Sequence, residues 1–162
     1  MSAAFDEFFM NMALREAEKA AADGEVPTGC VIVEEPPDEA TPPSAVRILG
    51  RAHNQTEMLS DATAHAEMLA LSAAFAAKGN WRLSNARLYV TKEPCPMCAG
   101  AILNARIPRV YYGARDREMG ACGGVLNLFM EDFPQRPALV GGILEEECRG
   151  VLTDFFRRLR KI

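Results

Sequence analysis

The spacing of apolar side chains along the chain predicts an alternation of helices and strands. Phe5, Phe9 and Met12 recur at helical spacing and alanines continue the same face, which predicts an opening amphipathic helix that ends at Gly24. Short apolar runs predict strands at 30–34, 47–53, 87–91, 109–113 and 138–142. Helical patterns are predicted over 64–78, 95–104 and 145–160.

This order of elements predicts an α/β fold with helices on both faces of a mixed sheet. The first two strands can pair as an antiparallel hairpin, and the later strand–helix–strand unit is expected to be a right-handed parallel crossover. The chain has 162 residues, so we expect residues 1–162 to form a single domain. The segment 34–44 (EEPPDEATPPS) is acidic and rich in proline, which predicts an exposed loop inserted in the hairpin.

Charge and hydropathy restrict the classes of partner. The net charge is −4, whereas proteins that bind nucleic acid along a long surface are usually basic, so any nucleic-acid contact is expected to be small and local. No apolar run approaches the roughly 20 residues of a membrane span. The first residues, MSAAFDEFF, lack the pattern of a secretory signal. A cytoplasmic location without a membrane partner is therefore the expectation.

Two short motifs carry the candidate chemistry, and each lies at the start of a predicted helix. The first is His65-Ala66-Glu67, and the second is Pro94-Cys95-Pro96-Met97-Cys98. His65, Cys95 and Cys98 offer three ligands of the types that zinc prefers, and a zinc site with three protein ligands keeps a position open for water. Glu67 is better used as a proton carrier than as a fourth ligand.

Alternatives exist for each motif alone. His65 could be a buried core histidine, and the two cysteines of the CxxC could be a redox pair. The chain has five cysteines, and Cys122, in a glycine-rich stretch, could also reach the site, although a small buried side chain is the simpler interpretation. Together, HxE followed by PCxxC is the signature of zinc-dependent nucleobase deaminases, so the reaction is assigned by matching that signature.

Further segments extend this signature over nearly the whole chain. They are Glu25-Val26-Pro27, Asn54, the DATAHAE run at 61–67, the dense stretch 88–120 and the TDFFR run at 153–157. In these segments the chain resembles the bacterial tRNA-specific adenosine deaminases of the TadA type, within the cytidine-deaminase-like superfamily. The resemblance implies a three-layer α/β/α sandwich with a mixed five-stranded sheet.

The same resemblance implies an activity and a partner. The activity is hydrolytic deamination of adenosine to inosine at the wobble position of a tRNA anticodon loop. A zinc-bound hydroxide would attack C6 while Glu67 shuttles protons. The resemblance also implies a homodimer with one Zn²⁺ per subunit and the tRNA anticodon stem-loop as substrate.

The resemblance assigns roles by position. His65, Cys95 and Cys98 match the metal ligands, Glu67 matches the proton shuttle, and Asn54 matches a residue that binds the substrate base. Asp116 matches a position near the flanking nucleotides, and a local turn bond is its alternative role.

Two other functions remain open from the sequence. One is a zinc deaminase of a free base or nucleoside, such as guanine, cytosine or cytidine, which shares the same metal chemistry. The other is an RNA-binding protein with structural zinc, against which Glu67 and the lack of an obvious fourth ligand argue.

Overall fold

The computed structural model describes residues 2–161, and its strands form one mixed sheet. The sheet has five strands in the order β2-β1-β3-β4-β5. β1 pairs antiparallel with both β2 and β3, whereas β3, β4 and β5 run parallel. The strands are β1 Gly29–Glu34, β2 Ile48–His53, β3 Ala86–Lys92, β4 Arg109–Ala114 and β5 Ala138–Val140. The predicted mixed five-stranded sheet is confirmed.

Four longer helices match the helical patterns of the sequence. The α-helices are α1 Ala3–Ala22, α2 Thr56–Leu59, α3 Ala66–Lys78, α4 Pro96–Asn104 and α5 Glu145–Leu159. The sequence did not predict α2, because four residues are too few to show a helical period. No helix in the described part of the chain is long and apolar enough to cross a membrane.

The helices cover both faces of the sheet, which makes three layers. Along each strand successive side chains point to opposite faces, so Ile32 and Val33 enter different cores. On one face α1 and α5 pack over a cluster that includes Phe9, Val33 and Tyr89. On the other face α3 and α4 pack over Ile32, Leu71, Leu88 and Ile102. Each fully buried large apolar side chain contributes about 1.5–3 kcal/mol.

Two strand glycines let the helices approach the sheet closely. A Cβ at Gly29 would lie 1.9 Å from the carbonyl oxygen of Ala13 in α1. A Cβ at Gly50 would lie 2.4 Å from the carbonyl oxygen of Ala70 in α3. A larger residue at position 50 would push α3 away from β2. The HxE motif lies at the start of α3, so the close approach at Gly50 also places this motif.

The inserted segment lies at one end of the sheet. Residues 37–40 are exposed, and a short 3₁₀ helix occupies Pro43–Ala45. The backbone N–H of Glu35 donates to the carbonyl of Asn85 at 2.9 Å, so the segment is tied to the beginning of β3. Both HxE and PCxxC lie towards the other end, where β3 finishes at Lys92.

Candidate active site

The ends of four strands meet around one cavity of about 150 Å³. β2 ends at His53, β3 at Lys92 and β4 at Ala114, while β1 begins there at Gly29. Because β1 is antiparallel to its neighbours, its first residue lies beside their last residues. The cavity is lined by Thr28, Asn54, His65, Glu67, Lys92, Glu93, Cys95, Asp116 and Met119.

The three predicted metal ligands lie together at this cavity. Their donor atoms are all within 4.8 Å of one another. The Nδ1 of His65 is 3.6 Å from the Sγ of Cys95 and 3.5 Å from the Sγ of Cys98. His65 is the N-cap of α3 and Cys95 is the N-cap of α4, so two helix starts aim their side chains at one point.

The chemistry of this cluster suits zinc. The hydrogen bond from Cys98, followed by that from His65, lowers the pKa of the Cys95 thiol to about 4, so this sulfur is available as a thiolate ligand. The helix N-terminus also favours a negative sulfur. Within residues 2–161 the cluster has three members, which is the number typical of a catalytic zinc and one fewer than a structural zinc needs.

Glu67 lies in the first turn of α3 and faces the same cavity. Its side chain is buried, with 3% of its surface exposed, and this burial raises the pKa of its carboxyl group to about 7. A carboxyl group with such a pKa can accept and release a proton near neutral pH. Glu67 is not a member of the three-residue cluster, which agrees with its predicted use as a proton carrier.

Asn54 follows β2 and is fixed by two hydrogen bonds. Its backbone N–H donates to the carbonyl of Thr28 at 3.1 Å, and its Oδ1 accepts from the backbone N–H of Ala66 at 2.8 Å. Because a backbone N–H requires an acceptor, the amide oxygen must face Ala66 and the Nδ2 must point elsewhere. No hydrogen bond in the described chain uses the Nδ2, so it remains able to donate to a molecule in the cavity.

Asp116 makes the local turn bond that its sequence left open as an alternative role, and its place near the flanking nucleotides stays a prediction. Its Oδ1 accepts from the backbone N–H groups of Glu118 at 2.9 Å and Met119 at 3.2 Å, which is a local turn bond. Its Oδ2 lies 3.3 Å from the Nζ of Lys92 at the rim of the cavity. Burial acts to raise the pKa of Asp116, but these backbone donors and Lys92 hold it below its usual range.

Several site residues were missed by sequence reasoning. Lys92 is one, because a lone lysine at a strand end carries no motif. Glu25 and Glu93 are others, because both are buried carboxylates whose partners are distant backbone N–H groups. Glu25 accepts from the N–H groups of Glu57 at 2.8 Å and Met58 at 3.0 Å, and so fixes α2 beside Asn54. No spacing rule connects residues 32 and 33 positions apart.

Cys122 does not join the metal cluster. It is buried, with 2% of its surface exposed, and it packs in the core on the α3 side of the sheet. Burial raises the pKa of its thiol to about 12, which keeps the sulfur protonated. The simpler interpretation of this residue as a small buried side chain is confirmed.

A wider groove of about 680 Å³ adjoins the cavity and shares Lys92 and Asp116 with it. The loop after β4, the turn after β5 and the first turns of α5 form its walls. Its charged side chains are four cations and three carboxylates: Lys92, Arg115, Arg117, Arg149, Asp116, Glu118 and Glu145. With four cations against three carboxylates, the lining of the groove carries a net charge of +1 in a chain whose net charge is −4.

Comparison with known proteins agrees with this geometry. The family described as "Cytidine and deoxycytidylate deaminase zinc-binding region" matches residues 3–114. The fold, the His–Cys–Cys cluster and this match define a zinc-dependent deaminase of the cytidine-deaminase-like class.

Full-length relatives narrow the class. The tRNA-specific adenosine deaminase of Bacillus subtilis is 46% identical over 96% of this chain and 91% of its own length. That of Haemophilus influenzae is 43% identical over 97% and 86%. A solved structure from a study of A-to-I editing by tRNA:A34 deaminases aligns with a TM-score of 0.80 at 40% identity, covering 90% of this chain and 99% of that one. The chain belongs to the family of tRNA-specific adenosine deaminases, as the sequence predicted.

Proposed function

We propose that this chain converts adenosine to inosine at the wobble position of a tRNA anticodon loop. The observation that carries the proposal is that the His–Cys–Cys cluster and the buried Glu67 face one cavity, which adjoins a groove lined by four cations and three carboxylates. In the reaction, the oxygen of water forms a bond to C6 of adenine. The bond from C6 to the exocyclic nitrogen breaks, ammonia leaves, and the ring keeps a proton on N1.

The metal would be held by His65, Cys95 and Cys98, with one Zn²⁺ per subunit. When bound, zinc supplies a Lewis acid that brings the pKa of a coordinated water towards neutrality. Glu67 takes a proton from the attacking water and delivers protons to N1 and to the leaving amine. Its burial beside the ligands keeps bulk water from competing for those protons.

Substrate contacts are assigned to Asn54, Asp116 and Lys92. The free Nδ2 of Asn54 donates a hydrogen bond to an acceptor on the base, and its bond to Ala66 holds the amide in that orientation. Asp116 and Lys92 form a pair between the cavity and the groove, where the nucleotides that flank the target would lie. An anticodon-loop base is already unpaired, so its entry into the cavity costs little free energy.

The groove explains how an acidic chain could bind RNA. Phosphate contacts from Lys and Arg give much of the affinity for nucleic acid and make it dependent on salt. The four cations of the groove would supply these contacts locally, while the rest of the surface keeps the net charge at −4. This arrangement fits a short single-stranded segment and not a long duplex.

Dimerisation, domain organisation and location complete the proposal. Six large apolar side chains of the described residues are more than half exposed, as expected where a second subunit covers part of the surface: Met58, Leu59, Met119, Val125, Met130 and Leu159. Light scattering should then give twice the chain mass of 17.7 kDa.

Residues 1–162 would form one deaminase domain, with 34–44 away from catalysis. Free cysteines fit the reducing cytoplasm.

An inosine assay tests the proposed activity. Purified zinc-loaded protein is incubated with an anticodon stem-loop that carries adenosine at the wobble position, and in parallel with free adenosine, guanine and cytidine. Inosine in the stem-loop alone is the expected result. Deamination of a free base or nucleoside with the RNA unchanged would overturn the proposal and favour the alternative, a zinc deaminase of free bases or nucleosides. An absence of any turnover would favour the structural-zinc alternative.

A further inference from the structure

Glu93 is a buried glutamate that the reaction described above does not use. It lies directly after β3 with 2% of its surface exposed, and a buried carboxylate is costly unless it is hydrogen-bonded. Its partners are three backbone N–H groups of one loop. Oε1 accepts from Asp116 at 3.2 Å, and Oε2 accepts from Cys122 at 3.0 Å and Gly124 at 2.9 Å. We call residues 115–124 the Glu93 loop.

The Glu93 loop leaves no room for side chains where it wraps the carboxylate. A Cβ at Gly120 would lie 2.1 Å from the Oε2 of Glu93. A Cβ at Gly124 would lie 1.9 Å from the carbonyl oxygen of Asp116 and 2.9 Å from the Oε1 of Glu93. Gly120 and Gly124 are therefore explained by the close approach of the loop to one carboxylate.

The same loop separates the cavity from the groove. Asp116 and Met119 line the cavity, while Arg115, Arg117 and Glu118 line the groove. Any shift of the loop changes the distance between the place for the base and the place for its flanking nucleotides.

We propose that Glu93 is a positioning residue for polynucleotide substrates. By fixing the Glu93 loop, it holds the cavity and the groove at the separation that a base and its neighbouring nucleotides require. This inference rests on the proposed function. Glu93 lies outside the metal cluster, and the carbonyl of Pro94 also accepts from the N–H of Ala121 at 2.8 Å. This second anchor does not involve the glutamate side chain, so the loop should stay attached when the carboxylate is altered.

The first variant is Glu93→Gln. It replaces one acceptor oxygen by an NH₂ group, which must then face a backbone N–H that also donates. We expect the KM for the stem-loop to rise about tenfold, the effect of losing one charge-assisted hydrogen bond. We expect kcat to stay within about threefold, since the reacting groups are untouched. One zinc per subunit should be retained, and amide hydrogen exchange should speed up in peptides that cover 115–124.

A second variant perturbs the same contact from the loop side. Gly124→Ala leaves the charge of Glu93 unchanged, but its Cβ displaces the loop. We expect the same rise in KM, and a double variant whose effect is smaller than the product of the two, because both act through one contact. This variant tests the proposal by itself if Glu93→Gln fails to fold.

Glu35→Gln is the matched control. The carboxylate of Glu35 binds Arg87 with distances of 2.8 Å and 2.6 Å at the opposite end of β3. This variant should lower the melting temperature and leave KM unchanged.

An unchanged KM in Glu93→Gln and Gly124→Ala would overturn the inference, and so would loss of zinc or a fall in kcat alone in Glu93→Gln. A wild-type enzyme that does not act on the stem-loop would instead refute the proposed function.

Discussion

The side-chain oxygen of Asn54 accepts a 2.8 Å hydrogen bond from the backbone N–H of Ala66. This bond connects the segment after β2 to the first turn of α3. Glu67 lies in that first turn, and its side chain lines the cavity. The group proposed to bind the base and the group proposed to move its protons are thus held by one contact. A substitution at Asn54 can therefore lower the stability of the fold or weaken the binding of the substrate, and two variants separate these effects.

Asn54→Ala should lower both stability and activity, whereas Asn54→Asp should lower mainly activity. Alanine leaves the buried N–H of Ala66 without an acceptor, which costs about 1–3 kcal/mol. Aspartate keeps that acceptor but has no NH₂ group for the base, so kcat/KM should fall at least about tenfold. Thermal unfolding and stem-loop kinetics provide the two readouts. Wild-type kcat/KM in Asn54→Asp would show that the amide nitrogen does not contact the substrate.

Glu67→Ala should keep zinc and fold while turnover drops by about two to four orders of magnitude, the usual contribution of a general acid–base. Truncation removes a buried carboxylate that the metal cluster does not include, so metal content should stay at one zinc per subunit. Single-turnover assays at high enzyme concentration measure the remaining rate. Substantial activity in this variant would remove Glu67 from its proposed role.

Cys98→Ala should lose zinc and stability together, because it removes one of three ligands and the metal stabilises only the folded chain. Cys122→Ala is the matched control, since this cysteine is also buried but lies outside the cluster. It should retain one zinc equivalent by elemental analysis. A full equivalent of zinc in Cys98→Ala would contradict the ligand set.

Lys92→Ala and Arg117→Ala should weaken stem-loop binding and make it less sensitive to salt. Each cation that contacts a phosphate contributes about one unit to the slope of log affinity against log salt. Binding measured over a range of salt concentrations gives that slope. Lys78→Ala is the control, because Lys78 pairs with Glu34 at the opposite end of the sheet. Equal slopes in all three variants would exclude the groove as the RNA site.

The carboxylate of Glu16 should make stability depend on pH in the acid range. Burial acts to raise its pKa, but Lys19, Arg51 and His53 together hold the pKa below its ordinary value of 4.5. A lowered carboxyl pKa stabilises the fold above about pH 4.5, and this contribution is lost as the pH falls through the folded-state pKa. Urea unfolding of wild type and Glu16→Gln should therefore differ at pH 7 and converge towards pH 3. If the difference in unfolding free energy between the two proteins were the same at pH 7 and pH 3, the charge of Glu16 would not contribute to stability.

The parts of the site that the sequence predicted are those coded by neighbouring residues. His65 and Glu67 lie two positions apart, and Cys95 and Cys98 three, so each pair is recognised from local spacing. The meeting of the two pairs, 30 and 33 residues apart, was predicted from the deaminase signature and not from local geometry. The contacts that sequence reasoning missed join distant segments. Glu93 meets its loop partners 23 to 31 residues away, and they are backbone groups that any residue but proline would present.

The segment 37–44 suggests a practical use. Its residues 37–40 are exposed, and Glu35, just before it, is hydrogen-bonded to Asn85 at the end of the sheet away from Cys95, so the length of the segment is free to vary without reaching the catalytic residues. An affinity tag or a fluorescent reporter grafted there would leave both the reaction centre and the cationic groove open. The acidic, proline-rich hairpin is thus a ready attachment point for following this enzyme on its RNA.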